Sequence, residues 1–141
     1  MESRMRWRVL LLDTKLSNPN HYICLAIEKA LASDARVEFV CTASLGDAIA
    51  TAKKNACNLF FAFDGEELHP DICARLRAVC GLAVLWVTED PYELPANLRH
   101  AHLFDRIFTN DSASVSAYGG RASHLPFAAS AELHELPVRE A

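Results

Sequence analysis

The stretch LAVLWVTEDPYELPANLRHAHLFDRIFTNDSASVSAYGGRASHLPFAA, residues 82–129, decides the fold. Residues 82–87 are a continuous apolar run, rich in strand formers and too short for a helix, as expected of a strand covered on both faces. The run stops at Thr88, Glu89, Asp90 and Pro91. Residues 106–109 (RIFT) repeat the arrangement and stop at Asn110 and Asp111, whose side chains can cap a following helix. That helix is expected over 112–118, closed by Gly119 and Gly120 at the place where a left-handed residue is wanted. A third short apolar run, from His124 onward, leads out of the domain.

Upstream the same alternation recurs. Residues 8–12 (RVLLL) read as a first, central strand ending at Asp13. Asn18 and Pro19 then open a helix, with Pro at the first helical position where its missing N–H costs nothing. Its buried stripe is Ile23, Ala26, Ile27, Ala30 and Leu31. Residues 37–41 (VEFVC) form the second strand. Ser44, with Asp47 three residues on, caps a second helix whose stripe is Leu45, Ala48, Ile49, Ala52 and Ala56. Residues 58–63 (NLFFAF) form the third strand, ending in Asp64, Gly65, Glu66 and Glu67. Pro70 opens a third helix that Gly81 closes. One short helix is expected over 95–103. Strands alternating with helices require a mainly parallel sheet with helices on both faces, an α/β doubly wound, Rossmann-like domain over 1–129. Residues 130–141 read as a tail or the start of a linker.

With 141 residues the chain is sized for one domain. A net charge of -4, with no basic cluster beyond Arg4, Arg6 and Arg8, argues against a nucleic-acid partner. The basic, then briefly apolar N-terminus is neither a signal peptide nor a membrane span. Five cysteines, odd in number and without a C-x-x-C pair, read as small buried hydrophobes in a reducing cytoplasm. His100 and His102 are spaced for one face only in an extended segment, so no metal site is expected from them. Phosphate chemistry is opposed as well: the turn after the first strand, DTKLSNPN, has neither G-x-G-x-x-G nor a P-loop lysine, and no cofactor is expected. No G-x-S-x-G elbow is present.

In open α/β sheets ligands bind beyond the carboxyl ends of the strands, where strand order reverses. Four strand ends bring Asp13, then Asp64 with Glu66 and Glu67, then Glu89 with Asp90, then Asn110 with Asp111 to one rim. Each alone is accounted for as a helix cap or a first-turn acid facing the helix dipole. Together they suit a hydroxyl-rich ligand, a cation or a phosphate-transfer pocket. Trp86, inside an apolar strand, reads as core.

Trp86 with Thr88, Glu89, Asp90 and Pro91, then FDRIFTND (104–111), then Tyr118, Gly119 and HLPFAA (124–129), with His134 beyond, resembles the N-terminal half of glycosyltransferases similar to the spore maturation protein CgeB. The resemblance covers the last third of the chain. It implies half of a GT-B fold, the acceptor-side domain, facing a second domain that holds the nucleotide-sugar donor. Glu89 and Asp90 would be the catalytic candidates, as acceptor base or hydroxyl anchor. Asp13, Asp64, Asn110, Asp111 and His124 would line the cleft, and residues 124–127 would be the last strand before the interdomain crossing. The implied partner is a sugar or glycan acceptor. Because the chain stops at Ala141, where the donor domain is expected, catalysis by this chain alone is not expected. An uncovered interdomain face or sheet edge would favour a homo-oligomer.

A second class stays open. Asp13 followed by GDAIATAKKNACNLFFAFDG (46–65) is similar to the first half of response-regulator receiver domains, in which the acid after the third strand accepts a phosphoryl group. Asp64 stands near that place. The acid pair after the first strand is reduced to Asp13, and the lysine after the fifth strand is replaced by Thr109, Asn110 and Asp111. That pattern suits a receiver-like signalling or protein-binding domain without the full phosphorylation site.

Overall fold

A computed structural model describes residues 5–13, 17–65 and 67–128. The strands are β1 (Trp7–Leu12), β2 (Val37–Ala43), β3 (Leu59–Phe63), β4 (Leu82–Val87), β5 (Arg106–Thr109) and β6 (Ala122–His124). They pair in parallel in the order β2-β1-β3-β4-β5-β6. Between them lie α1 (His21–Ser33), α2 (Ala48–Lys54), α3 (Pro70–Cys80) and α4 (Leu94–Leu98), with 3-10 turns at Ala101–Leu103 and Val115–Arg121. This is the expected doubly wound α/β domain, with the flavodoxin-like strand order. The order reverses between β1 and β3. Among the described residues no helix is long and apolar enough to cross a membrane.

Helices cover both faces. Ile23, Cys24, Ile27 and Leu31 of α1 pack on Leu11, Phe61, Phe63 and Trp86. On the other face α2 and α3 enclose Leu10, Phe60, Ala62, Ala83 and Leu85 with Leu76, Phe104 and Ile107. Strands buried from both sides show no alternation, and Val9 to Leu12 are all buried. Trp86 packs edge-on against Phe63, with ring centroids 5.6 Å apart.

Several element boundaries differ from the sequence expectation, each for a local reason. The helix expected from Pro19 begins at His21, because Asn18 accepts the Asn20 N–H through its side chain and the His21 N–H through its carbonyl. This Asx turn competes with the helix for the same backbone. Ser44 Oγ accepts the Asp47 N–H at 3.3 Å as a cap would, but the helix starts only at Ala48. The Asn58 side chain accepts the Arg8 N–H and donates to the Arg6 carbonyl, standing in for strand backbone, and β3 begins one residue later. The single helix expected over 95–103 is two pieces, since His100 leaves helical geometry to enter the core. The helix expected over 112–118 is a short turn followed by a 3-10 segment. The last strand is Ala122–His124, and residues 125–128 lie outside regular structure. By contrast β4, β5, the Pro70 start and the Gly81 stop, where φ is +84°, fall where the sequence puts them.

His100 is fully buried beside Phe104, and neither ring nitrogen has a partner. A Cβ on Gly65 would stand 2.5 Å from Asn97 Oδ1 and 2.8 Å from His100 Nε2, so only glycine fits under these two side chains. Burial pushes the His100 imidazole down to about 4, helped by the nearby Arg99 and His102 charges. The unfolded chain therefore takes up this proton first, at its ordinary value near 6.5. Stability from the neutral ring is complete above that pH, is lost as pH falls toward the folded value, and levels off below it. The loss is about 3 kcal/mol. Urea unfolding followed from pH 7 to pH 4 is expected to show this decline, and His100→Gln is expected to flatten it; an equal slope in both proteins would contradict the assignment.

Candidate functional site

A cleft of about 580 Å³ opens at the β1/β3 reversal, a volume in the range of small-molecule sites. Its walls come from the carboxyl ends of β1 (Leu12, Asp13) and β3 (Phe63, Asp64), and from the segments after β2 (Ser44, Leu45) and β4 (Glu89, Glu93). Ser17, Asn18, Pro19 and Asn20 close it from the α1 side, and Glu67 and Leu68 from the α3 side. Asp13, Asp64, Glu67, Glu89 and Glu93 are its acids, and no lysine or arginine lines it among the described residues. Glu66 and residues 14–16 of the DTKLSNPN turn, Lys15 included, lie outside the described residues, as do Arg4, Ala129 and His134.

A polar chain builds the floor. Asp64 takes a left-handed backbone, with φ at +58°, and donates its N–H to the Trp86 carbonyl at 2.7 Å. This turns its carboxylate toward β4, where Oδ1 accepts the Thr88 N–H at 2.8 Å and the Thr88 hydroxyl at 2.7 Å. Asn20, just ahead of α1, donates to Thr88 Oγ1 and, at 3.1 Å, to Glu89 Oε1. Burial raises the Asp64 carboxyl above its ordinary range; hydrogen bonds from Thr88 and Asn20 oppose this, and the Glu89 charge adds to it. Asp13 stays half exposed at the tip of β1, with His21 Nδ1 at 3.8 Å. The cleft thus holds one carboxyl biased toward the protonated state among exposed carboxylates, an arrangement able to exchange protons and hydrogen bonds with hydroxyl groups.

The remaining expected site residues form a second cluster. Asp90 is 3% exposed and does not line the cleft. Its Oδ2 accepts hydroxyl hydrogen bonds from Tyr118 at 2.7 Å and Thr109 at 2.8 Å, and its Oδ1 accepts from Asn97 at 3.3 Å. The peptide between Asp90 and Pro91 is cis. Asn110 exchanges two hydrogen bonds with the Asp90 backbone, at 3.2 and 3.3 Å. Burial, followed by the Asp90 carboxylate, drives the Tyr118 phenol upward, so it stays a donor. Asp111 accepts from the Ser114 hydroxyl at 2.6 Å and from the Ala113 N–H, and these bonds pull its carboxyl below the usual range. It holds the turn ahead of the 3-10 segment rather than capping a helix over 112–118, and that segment has no side-chain cap. His124 lies at the β6 edge, a ring nitrogen 3.2 Å from the Asn110 carbonyl.

Of the seven residues singled out from sequence, Asp13, Asp64 and Glu89 therefore meet in the cleft, while Asp90, Asn110, Asp111 and His124 meet beside it. Sequence reasoning missed Thr88 and Asn20, the links between Asp64 and Glu89. It also missed Glu93, and Asn97 and Tyr118 as Asp90's partners. The available signal was position: Thr88 directly follows β4, and Asn20 directly precedes α1. Among the described residues no group of three histidines, cysteines or acids is placed to hold a metal ion.

The two neighbouring acids are expected to separate on mutation. Asp90→Ala strands the hydroxyls of Tyr118 and Thr109 in the core and is expected to lower unfolding free energy by roughly 3–5 kcal/mol. Glu89→Gln, at an exposed position, is expected to stay within about 0.5 kcal/mol of the parent. Denaturant titration decides it, and comparable losses in the two variants would contradict the assignment.

Compared with protein-family models, with curated proteins and with solved structures, the chain matches none of them.

Proposed function

We propose that the chain is the acceptor-side domain of a CgeB-like glycosyltransferase, and that the cleft at the β1/β3 reversal binds a sugar or glycan acceptor. The observation that carries this reading is the lining: five carboxylates with Ser17, Asn18, Asn20 and Ser44 over apolar Leu12, Phe63 and Leu68. Sugar hydroxyls donate to carboxylates and accept from amides, whereas phosphate would meet like charge. A nucleotide-sugar donor then belongs to a second domain, and this domain alone binds acceptor without turnover.

In this reading Glu89, exposed and oriented by Asn20, is the acceptor base, with Asp13 and Asp64 as hydroxyl anchors. Asp90, Asn110 and Asp111 act through it by holding the turn. The exposed β6 side, with Leu125 and Phe127, is left for the second domain or a second copy of the chain. Five free cysteines suit a reducing, cytoplasmic setting.

One observation favours the receiver-like reading: the strand order, which receiver domains share, puts Asp13 and Asp64 in one cleft. Against phosphoryl transfer stand the acids around Asp64 and the absence of a lysine or arginine partner among the described lining.

Amide chemical shifts recorded during titration test both readings. Neutral oligosaccharides are expected to move resonances around Asp13, Asp64 and Glu89, with Glu89→Gln weakening the effect. Nucleotide sugars are expected to bind no tighter than millimolar, and Mg²⁺ with beryllofluoride to leave the spectrum unchanged. Micromolar affinity for a nucleotide sugar would overturn the acceptor-side reading, and beryllofluoride shifts at Asp13 and Asp64 would favour the receiver.

A further inference from the structure

The five cysteines are spread along the sequence, yet two of them meet. Cys41 on β2 and Cys57 in the turn between α2 and β3 place their sulfurs 3.7 Å apart, across the strand β1 that separates β2 from β3. The turn is well held: the Cys57 N–H bonds to the Ala52 carbonyl at 3.0 Å, and the preceding Ala56 is left-handed, with φ at +49°. Cys57 is nearly fully buried and Cys41 is half-buried, so a reagent from solvent meets Cys41 first. Both belong to the core under α2, which also holds Cys73 and Cys80.

We propose that Cys41 and Cys57 form a reversible disulfide when a hydroperoxide reaches Cys41. A bonded pair sits at about 2.05 Å, so the sulfurs must close by about 1.7 Å for the bond to form. In the first step the Cys41 thiolate attacks one peroxide oxygen. The O–O bond breaks, and an alcohol (water, when the oxidant is hydrogen peroxide) leaves behind a sulfenic acid. In the second, the Cys57 sulfur attacks the sulfenic sulfur. The S–O bond breaks, and water departs with the Cys57 proton. Two thiols and one hydroperoxide give one disulfide, one alcohol and one water. A small thiol reverses the reaction by exchange.

Exposure sets the order of events, since Cys41 is the more accessible sulfur, and the electrostatics agree. Burial raises both thiols, Cys57 to about 12, and the charge of Arg8 opposes this at each; their mutual contact lowers Cys41 and raises Cys57. Cys41 is thus the attacking group and Cys57 the resolving one. The bond would staple edge strand β2 to the α2–β3 turn. Three residues beyond Cys41 that strand delivers Ser44, then Leu45, to the cleft wall. Oxidation therefore fixes one wall of the cleft. The proposal is independent of what the cleft binds.

The test is peroxide treatment of the folded full chain, followed by alkylation and proteolysis without reductant. A peptide pair joined through Cys41 and Cys57 is the expected main product, lost on addition of dithiothreitol. Cys57→Ser and Cys57→Ala are each expected to halt at a Cys41 sulfenic acid that dimedone traps, with trapping several-fold greater than in the parent. Equal dimedone trapping in parent and variants, a dominant bond from Cys41 to Cys80, or five unmodified thiols would each overturn it.

Discussion

The buried carboxylate of Asp90 is the constraint on which the site depends. Among the described residues it forms no ion pair, and it is held by three donors, Tyr118, Thr109 and Asn97, drawn from three separate elements. A charge taken from water at this depth persists only when such donors replace its hydration. The same contacts lock the turn after β4 to β5, to α4 and to the 3-10 segment before β6. With Asp90 fixed inward, the chain turns Glu89 the other way, into the cleft, and leaves Thr88 buried against Asp64. Division of labour between adjacent acids follows from this geometry: one supports the turn, the other faces solvent.

The cleft is a meeting of weak preferences that agree. Strand order reverses between β1 and β3, so the loops that follow them diverge and leave a gap. Asp64 ties the end of β3 to the end of β4 through Thr88 on one side of that gap, and Asn20 joins the approach to α1 to the same Thr88. Carboxylates gathered at one rim repel one another. That repulsion adds to burial in raising the Asp64 carboxyl, and a ligand that donates hydrogen bonds would relieve it.

The strands were legible in the sequence because β4 and β5 are apolar runs that end abruptly at polar turns, and Gly81 marks a helix stop that needs a positive φ. Asp111 was legible as a turn residue, though not as a helix cap, because its partners lie within three residues. What stayed hidden depends on long-range contacts. Asp90 looks like any turn acid until Tyr118, 28 residues away, comes to rest against it. The break at His100 depends on Gly65 lying beneath it, and the approach of Cys41 to Cys57 on β1 running between their strands. Local pattern locates elements, whereas the polar core is decided by which elements become neighbours.

Hydrogen exchange at the turn after β4 tests the role of Asp90 most directly. The Thr88 N–H is held by Asp64 and the Asp90 N–H by Asn110, so both report on the turn without reporting on the sheet. In Asp90→Asn these two amides are expected to exchange at least about tenfold faster than in the parent, while the amides of β1 keep their rates. Unchanged protection at Thr88 and Asp90 in the folded variant would show that the turn holds its shape without the Asp90 charge, and would contradict this account of how the site is built.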